Sequence, residues 1–99
     1  MAQMPMEFDE ISDFLSVTNV SFSDVSISAN SYTDINIDVT KSGYTVLGVI
    51  GWQIDGHPEI AVNYVKMMSS TSARIRCYNI SSTAISSFSG VIGILYRKN

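Results

Sequence analysis

The sequence predicts a small all-β domain, an antiparallel β-sandwich of jelly-roll type, on three observations. Apolar and polar residues alternate strictly from Ile35 to Thr40, the period of a strand with one face in a core and one in water. A turn at Ser42-Gly43 is followed at once by a second apolar run from Tyr44 to Ile54. The rest divides into about seven short strand-like segments with turn residues every ~8–12 residues, the spacing of sandwiches and jelly rolls.

The elements follow in order. Val17 to Phe22 is a strand, and Val25 to Ile27 another, parted near Ser23-Asp24. Asn30-Ser31 turns into the alternating strand Tyr32 to Thr40, with Ile35, Ile37 and Val39 inward and Asp34, Asn36 and Asp38 outward. Tyr44 to Ile54 contains Gly48 and Gly51, which within a strand mark a bulge or a close backbone approach. Asp55-Gly56 is a turn dipeptide and Pro58 prolongs the loop. Glu59 to Met68 is the next strand, and Ser72 to Tyr78 alternates again, Ala73, Ile75 and Cys77 on one face and Arg74, Arg76 and Tyr78 on the other. Ala84 to Tyr96 closes the domain, with Ser89-Gly90 as a break. Ahead of these strands, residues 1–15 form an arm or stalk end. In it Phe8, Ile11, Phe14 and Leu15 fall at helical spacing with acids between them, a short helical or coil segment that needs a docking partner to be stable. The sandwich proper is 16–99.

Composition narrows the function classes. Of 99 residues 45% are hydrophobic but only 15% charged, so a hydroxyl-rich surface gives little repulsion between copies. The net charge is −3, and four of the nine acids (Glu7, Asp9, Glu10, Asp13) crowd the N-terminus. No basic stripe invites nucleic acid. No apolar run is long enough for a membrane span, and the N-terminus lacks the regions of a signal peptide. The single Cys77 excludes an intrachain disulfide.

Little in the chain carries chemistry. His57, the only histidine, stands in Asp55-Gly56-His57-Pro58-Glu59, which has too few ligands for zinc and reads as a polar hairpin tip open to a glycan. Cys77 sits on an apolar strand face and behaves as a small hydrophobe. Asp34, Asn36 and Asp38 lack the glycine turn and terminal glutamate of a calcium loop. Arg74 and Arg76, beside Tyr78, suit either an acidic ligand or cross-strand pairing with Asp34 and Asp38. Trp52, in so apolar a strand, belongs to the core or a subunit interface. No nucleophile, acid and base set is visible, and no metal site or cofactor motif, so an enzyme is not expected.

The run Val25-Ser26-Ile27-Ser28-Ala29-Asn30-Ser31-Tyr32-Thr33-Asp34-Ile35-Asn36-Ile37-Asp38-Val39, then Ser42-Gly43-Tyr44-Thr45-Val46-Leu47-Gly48-Val49-Ile50-Gly51, then Ala73-Arg74-Ile75-Arg76-Cys77-Tyr78-Asn79 and Val91-Ile92-Gly93-Ile94-Leu95-Tyr96-Arg97-Lys98, resembles the C-terminal domains of tail-fibre and minor structural proteins from phages and prophages of gut Firmicutes. The likeness covers about residues 20–99 and is one of strands and turns, not of a catalytic motif. The resemblance implies a β-sandwich head, usually trimeric, at the distal end of a fibre on the virion, in contact with the host surface. It transfers no catalytic residues. The N-terminal acidic segment departs from the family pattern; as the last turn of a trimeric stalk it would set the three-fold axis near Phe8, Ile11, Phe14 and Leu15, and Trp52 is a further candidate for the subunit contact. Val46 to Ile54 and Val91 to Tyr96 look apolar on both faces, and a closed trimer would bury the second face. The expected partners are therefore further copies of the chain and a host cell-surface glycan or protein. Asp55, His57, Glu59, Arg74, Arg76 and Tyr78 are the candidate ligand contacts, and the loops Asp55–Glu59, Ser69–Ser72 and Asn79–Ser82 the candidate surfaces. Two other readings fit the same residues: a purely structural trimerisation or capping module of a fibre or capsid, and a bacterial carbohydrate-binding module.

Overall fold

The structure, a computed structural model, describes residues 14–99. It is an all-β sandwich of six strands: β1 (Leu15–Ile27), β2 (Tyr32–Asp38), β3 (Tyr44–Ile54), β4 (Ile60–Met67), β5 (Ser72–Asn79) and β6 (Ile85–Lys98). Two three-stranded antiparallel sheets face each other, one ordered β1-β6-β3 and the other β2-β5-β4. Along the two edges β1 runs beside β2 and β3 beside β4. Phe8 and Ile11 lie outside the described residues. Phe14 is exposed, and Leu15 is already in β1, paired with Arg97, because β6 extends far enough to offer it a ladder position.

Two expected breaks are absent, and the first of them alone reduces seven strands to six. Val17–Phe22 and Val25–Ile27 are one strand. The chain bulges between Phe22 and Val25, where Asp24 adopts φ 58°, and then regains its partner β6 at Phe88. A bulge adds a residue without ending the ladder, so the polar pair that imitates a turn is a twist point instead. Ser89-Gly90 likewise does not break β6. Gly90 pairs with both Phe22 and Ile54, and a Cβ there would stand 2.5 Å from the Gln53 carbonyl oxygen and 2.7 Å from Phe22 Cζ. The glycine is a close-approach site, not a turn. In β3 the register shifts fall between Val46 and Gly48 and between Val49 and Gly51, so the two glycines do accompany bulges. Gly43 and Gly56 hold φ values of 84° and 69°, a turn geometry that glycine alone adopts freely.

Both inner faces supply the core. Ile92, Ile94 and Tyr96 from β6 meet Ala73, Ile75 and Cys77 from β5, closed by Phe22, Ile27, Ile37, Val39 and Phe88. The inward set Ala73, Ile75, Cys77 follows the predicted alternation, and Ile37 and Val39 are buried as expected, Ile35 half-buried. Phe22 and Phe88 pack edge to face, as do Tyr44 and Tyr96. The buried Tyr96 hydroxyl donates to the Val39 carbonyl at 2.7 Å, so its polar end has a partner. Lys41 closes the core beside these rings, its Nζ 4.6 Å from the Tyr44 centroid and 5.2 Å from that of Tyr96 and donating to Ser16 Oγ and Thr18 Oγ1.

The topology sorts the loops to two ends. At one, here the loop end, lie residues 28–31, 55–59 and 80–84. At the other, the terminal end, β1 begins, β6 finishes, and the connections 39–43 and 68–71 turn.

Candidate functional site

Backbone hydrogen bonds tie the three connections of the loop end together: Asn30 N to Ser81 O at 3.0 Å, Asn79 N to Ser31 O at 2.8 Å and Ile80 N to Glu59 O at 3.1 Å. Asn79 is their hub. It is wholly buried, its Nδ2 donates to the carbonyls of Ser28 (3.3 Å) and Thr83 (2.8 Å), and its Oδ1 accepts from Ser81 N (3.0 Å) and Ser81 Oγ (2.8 Å). All four polar valences of one amide are thus spent on holding loops in place. A turn at this position is legible in the sequence, and Thr83 and Ser81 lie within it; the hub is not, because Ser28 reaches Asn79 only through the fold.

These braces frame a hollow of about 280 Å³ lined by His57, Glu59, Ser81, Thr83, Ser86 and Ser87, with Ala84 and Ile85. His57 and Glu59 fall in it together, as their spacing suggests, with Nδ1 3.5 Å from Oε1. The His57 ring packs edge to face on Phe88, centroids 6.4 Å apart. Glu59 Oε1 is shielded from solvent and accepts no hydrogen bond. Asp55 stands apart. It is exposed, its Oδ2 accepts from Ser89 Oγ at 3.3 Å, and it does not line the hollow. Of the three expected contact loops, Asp55–Glu59 and Asn79–Ser82 meet here, whereas Ser69–Ser72 lies at the terminal end, because the β4–β5 hairpin turns there. Among the described residues no three potential metal ligands cluster.

Arg74, Arg76 and Tyr78 lie elsewhere, on the outer face of the β2-β5-β4 sheet. Arg76 donates through Nε (2.6 Å) and Nη2 (2.9 Å) to the two carboxylate oxygens of Asp34, its cross-strand neighbour. The guanidinium is also flanked by the rings of Tyr32 (4.4 Å) and Tyr64 (5.1 Å). The hydrogen bonds from Arg76 hold the Asp34 carboxyl below the ordinary range, against a smaller opposing effect of burial. Arg74 donates from Nε to Asn36 Oδ1 at 2.9 Å. Asp38 was an expected partner and is not one. It lies opposite Ser72, and its Oδ1 accepts from Thr40 N and Oγ1, which lowers its pKa too. The face is a pre-paired, tyrosine-flanked ion network centred on Asp34, which Arg74 Nη1 also approaches at 3.8 Å. Tyr32 falls on the outward period of its strand, whereas Tyr64 is brought outward by the register shift between Val62 and Tyr64, which alternation in a single strand does not show.

The outer face of the β1-β6-β3 sheet carries apolar side chains beside amides. Val17 and Ile50 are exposed upon it, and they line a shallow groove of about 280 Å³ over Gly51 and Gly93 with Asn19, Gln53 and Val91. Trp52 is 53% exposed, so it is no part of the core. It lies opposite the buried Ile92 on the edge strand β3, whereas Ile50, in the bulge between Val49 and Gly51, turns outward beside Gly93 and Asn19. Cys77 is buried and free, its thiol pushed up to about 11 by burial, the opposite of what a nucleophile needs. No family model, curated protein or solved structure matches the chain.

Proposed function

We propose that the chain is a phage or prophage fibre-tip domain that forms a homotrimer and mediates adhesion to the host cell surface, with a glycan as receptor. The observation that carries this reading is polarity along the long axis. The chain enters the sandwich at Leu15 on one end, and the braced hollow with His57 and Glu59 opens at the other. That is the arrangement a displayed binding head requires: attachment behind, rigidly held loops in front. The resemblance to tail-fibre domains supports it independently. No reaction is proposed for the site; the work is adhesion on the virion exterior, without membrane insertion or nucleic acid. The test is retention of the purified protein on candidate host cells, and failure to bind any of them would sink the adhesive role.

A second reading, a purely structural trimerisation or capping module, is favoured by one specific observation. Val17, Leu47, Ile50 and Trp52, large apolar side chains of the β1-β6-β3 sheet, are all left in water by a single copy. Assembly without ligand predicts a stable oligomer whose cell binding is zero and does not depend on His57. A monomer that binds sugar would instead favour a carbohydrate-binding module.

A further inference from the structure

The hollow at the loop end has chemistry enough to name its ligand class. Its lining is hydroxyl-rich (Ser81, Thr83, Ser86, Ser87) with one carboxylate and one imidazole, and among the described residues no lysine or arginine lines it. A carboxylate without a cationic neighbour other than an imidazole repels anions, so acidic ligands are disfavoured. Glu59 Oε1 is the anomaly. It is out of solvent and accepts no hydrogen bond, while His57 Nδ1 at 3.5 Å makes only an ion-pair contact. Shielded acceptors are nearly always satisfied, and an unsatisfied one marks a place where a donor is expected to arrive. Ser81 is already committed to Asn79 and Thr83, which leaves Thr83, Ser86 and Ser87 as exposed hydroxyls around that acceptor.

We infer that this hollow binds the end of a neutral saccharide: the Glu59 side chain, 37% exposed, turns to bring its covered Oε1 to a sugar hydroxyl that donates to it, the Thr83, Ser86 and Ser87 hydroxyls exchange hydrogen bonds with the ring substituents, and His57 packs against the sugar from its seat on Phe88. Ligand cavities run from ~300 Å³ upward, so a hollow of about 280 Å³ takes one sugar unit and not an extended chain. Beyond that turn of Glu59 little has to reorganise, because the backbone of the flanking loops is already fixed by the Asn79 hub and the Ile80–Glu59 bond. The inference deepens the adhesive reading above and rests on it for its biological setting, but not for its geometry.

The test is a titration of the isotope-labelled full chain, followed by amide chemical shifts, with glucose, galactose, rhamnose and N-acetylglucosamine at tens of millimolar. The expected result is saturable shifts at His57, Glu59 and residues 81–87 with at least one sugar. Glu59→Gln, which keeps the side-chain shape, should weaken that sugar about tenfold by replacing a charged acceptor with a neutral one. Ser87→Ala should weaken it less, and both variants should keep the thermal midpoint of the parent. Silence toward all four sugars, shifts confined to an outer sheet face, or full affinity in Glu59→Gln would each overturn the inference. Mass and cell binding measured on the same preparation keep the two ideas apart. Sugar binding by a monomer that ignores cells sustains the hollow and ends the fibre-tip reading. A cell-adhesive trimer with a sugar-silent hollow does the reverse.

Discussion

Asn79, Asp34 and Cys77 show how single side chains hold this fold, each by a different force. Asn79 is satisfied by four hydrogen bonds with no exposure, so Asn79→Ala strands two carbonyls and a serine within the loop end. The expected cost is about 3 kcal/mol, a fall of roughly 12–24 °C in the melting midpoint for a domain of this size, read by calorimetry. Asp34 acts through linkage. Its folded pKa lies below the ordinary 3.8, so its contribution is fully present above that value and is lost as the pH falls through the folded pKa. Stability should therefore be flat in this respect near neutrality and decline below about pH 3.8. Asp34→Asn should flatten that acid limb, measured as midpoint against pH; an unchanged acid limb would show that the Arg76 pair does not set it. Cys77 is wholly buried with its thiol pushed up to about 11, so a disulfide reagent at mildly alkaline pH should label it only at the rate of unfolding. Labelling at the rate of a free thiol would contradict its burial.

At the scale of the strand, alternation was the dependable signal and irregularity the misleading one. Ser72 to Tyr78 and Ile35 to Val39 carry their burial pattern openly because each side chain answers to one face. The bulge at Ser23-Asp24 and the glycine at position 90 look like chain breaks when only local residues are weighed. What overrules them is β6, which pairs with β1 on one side and β3 on the other along most of its length. A central strand keeps its neighbours in line across a one-residue defect, and no local pattern reports that it is central. The hollow was half legible for the same reason. His57 and Glu59 are close in sequence, but Thr83, Ser86 and Ser87 join them only because β3–β4 and β5–β6 cross at one end. Two glycines of β6 test the close-approach argument against each other. At Gly90 an added Cβ meets a backbone carbonyl oxygen at 2.5 Å and Phe22 Cζ at 2.7 Å; at Gly93 it meets nothing nearer than 3.5 Å, an ordinary contact. Gly90→Ala should cost about 2 kcal/mol or more through forced separation of the strands, while Gly93→Ala should be near neutral in denaturant unfolding. Equal costs would mean that the backbone at 90 is not held close to Gln53.

For the molecule as a whole the open question is the apolar outer face, and the chain contains its own reporter. Trp52 is the only tryptophan and is 53% exposed on β3, the edge strand that also carries Ile50. A monomer in water places the indole in a polar setting, giving red-shifted, readily quenched emission. A homotrimer joined through this sheet and its β3 edge removes the indole from water, and because no charged residue lines the groove over Gly51 and Gly93 the association should be insensitive to salt. Light scattering of the proposed trimer should therefore give about three times the 10.9 kDa chain mass, with blue-shifted emission that moves to the red on dilution. Trp52→Glu or Ile50→Glu places a charge where the neighbouring copy would press, and either should return the mass to one chain while the melting midpoint of the fold changes little, since neither side chain is in the core. Trimers that survive both substitutions, with emission unaltered by dilution, would move the subunit contact away from this sheet and toward Phe14 and Leu15 at the terminal end. In that case the apolar face would need a different occupant to explain its composition.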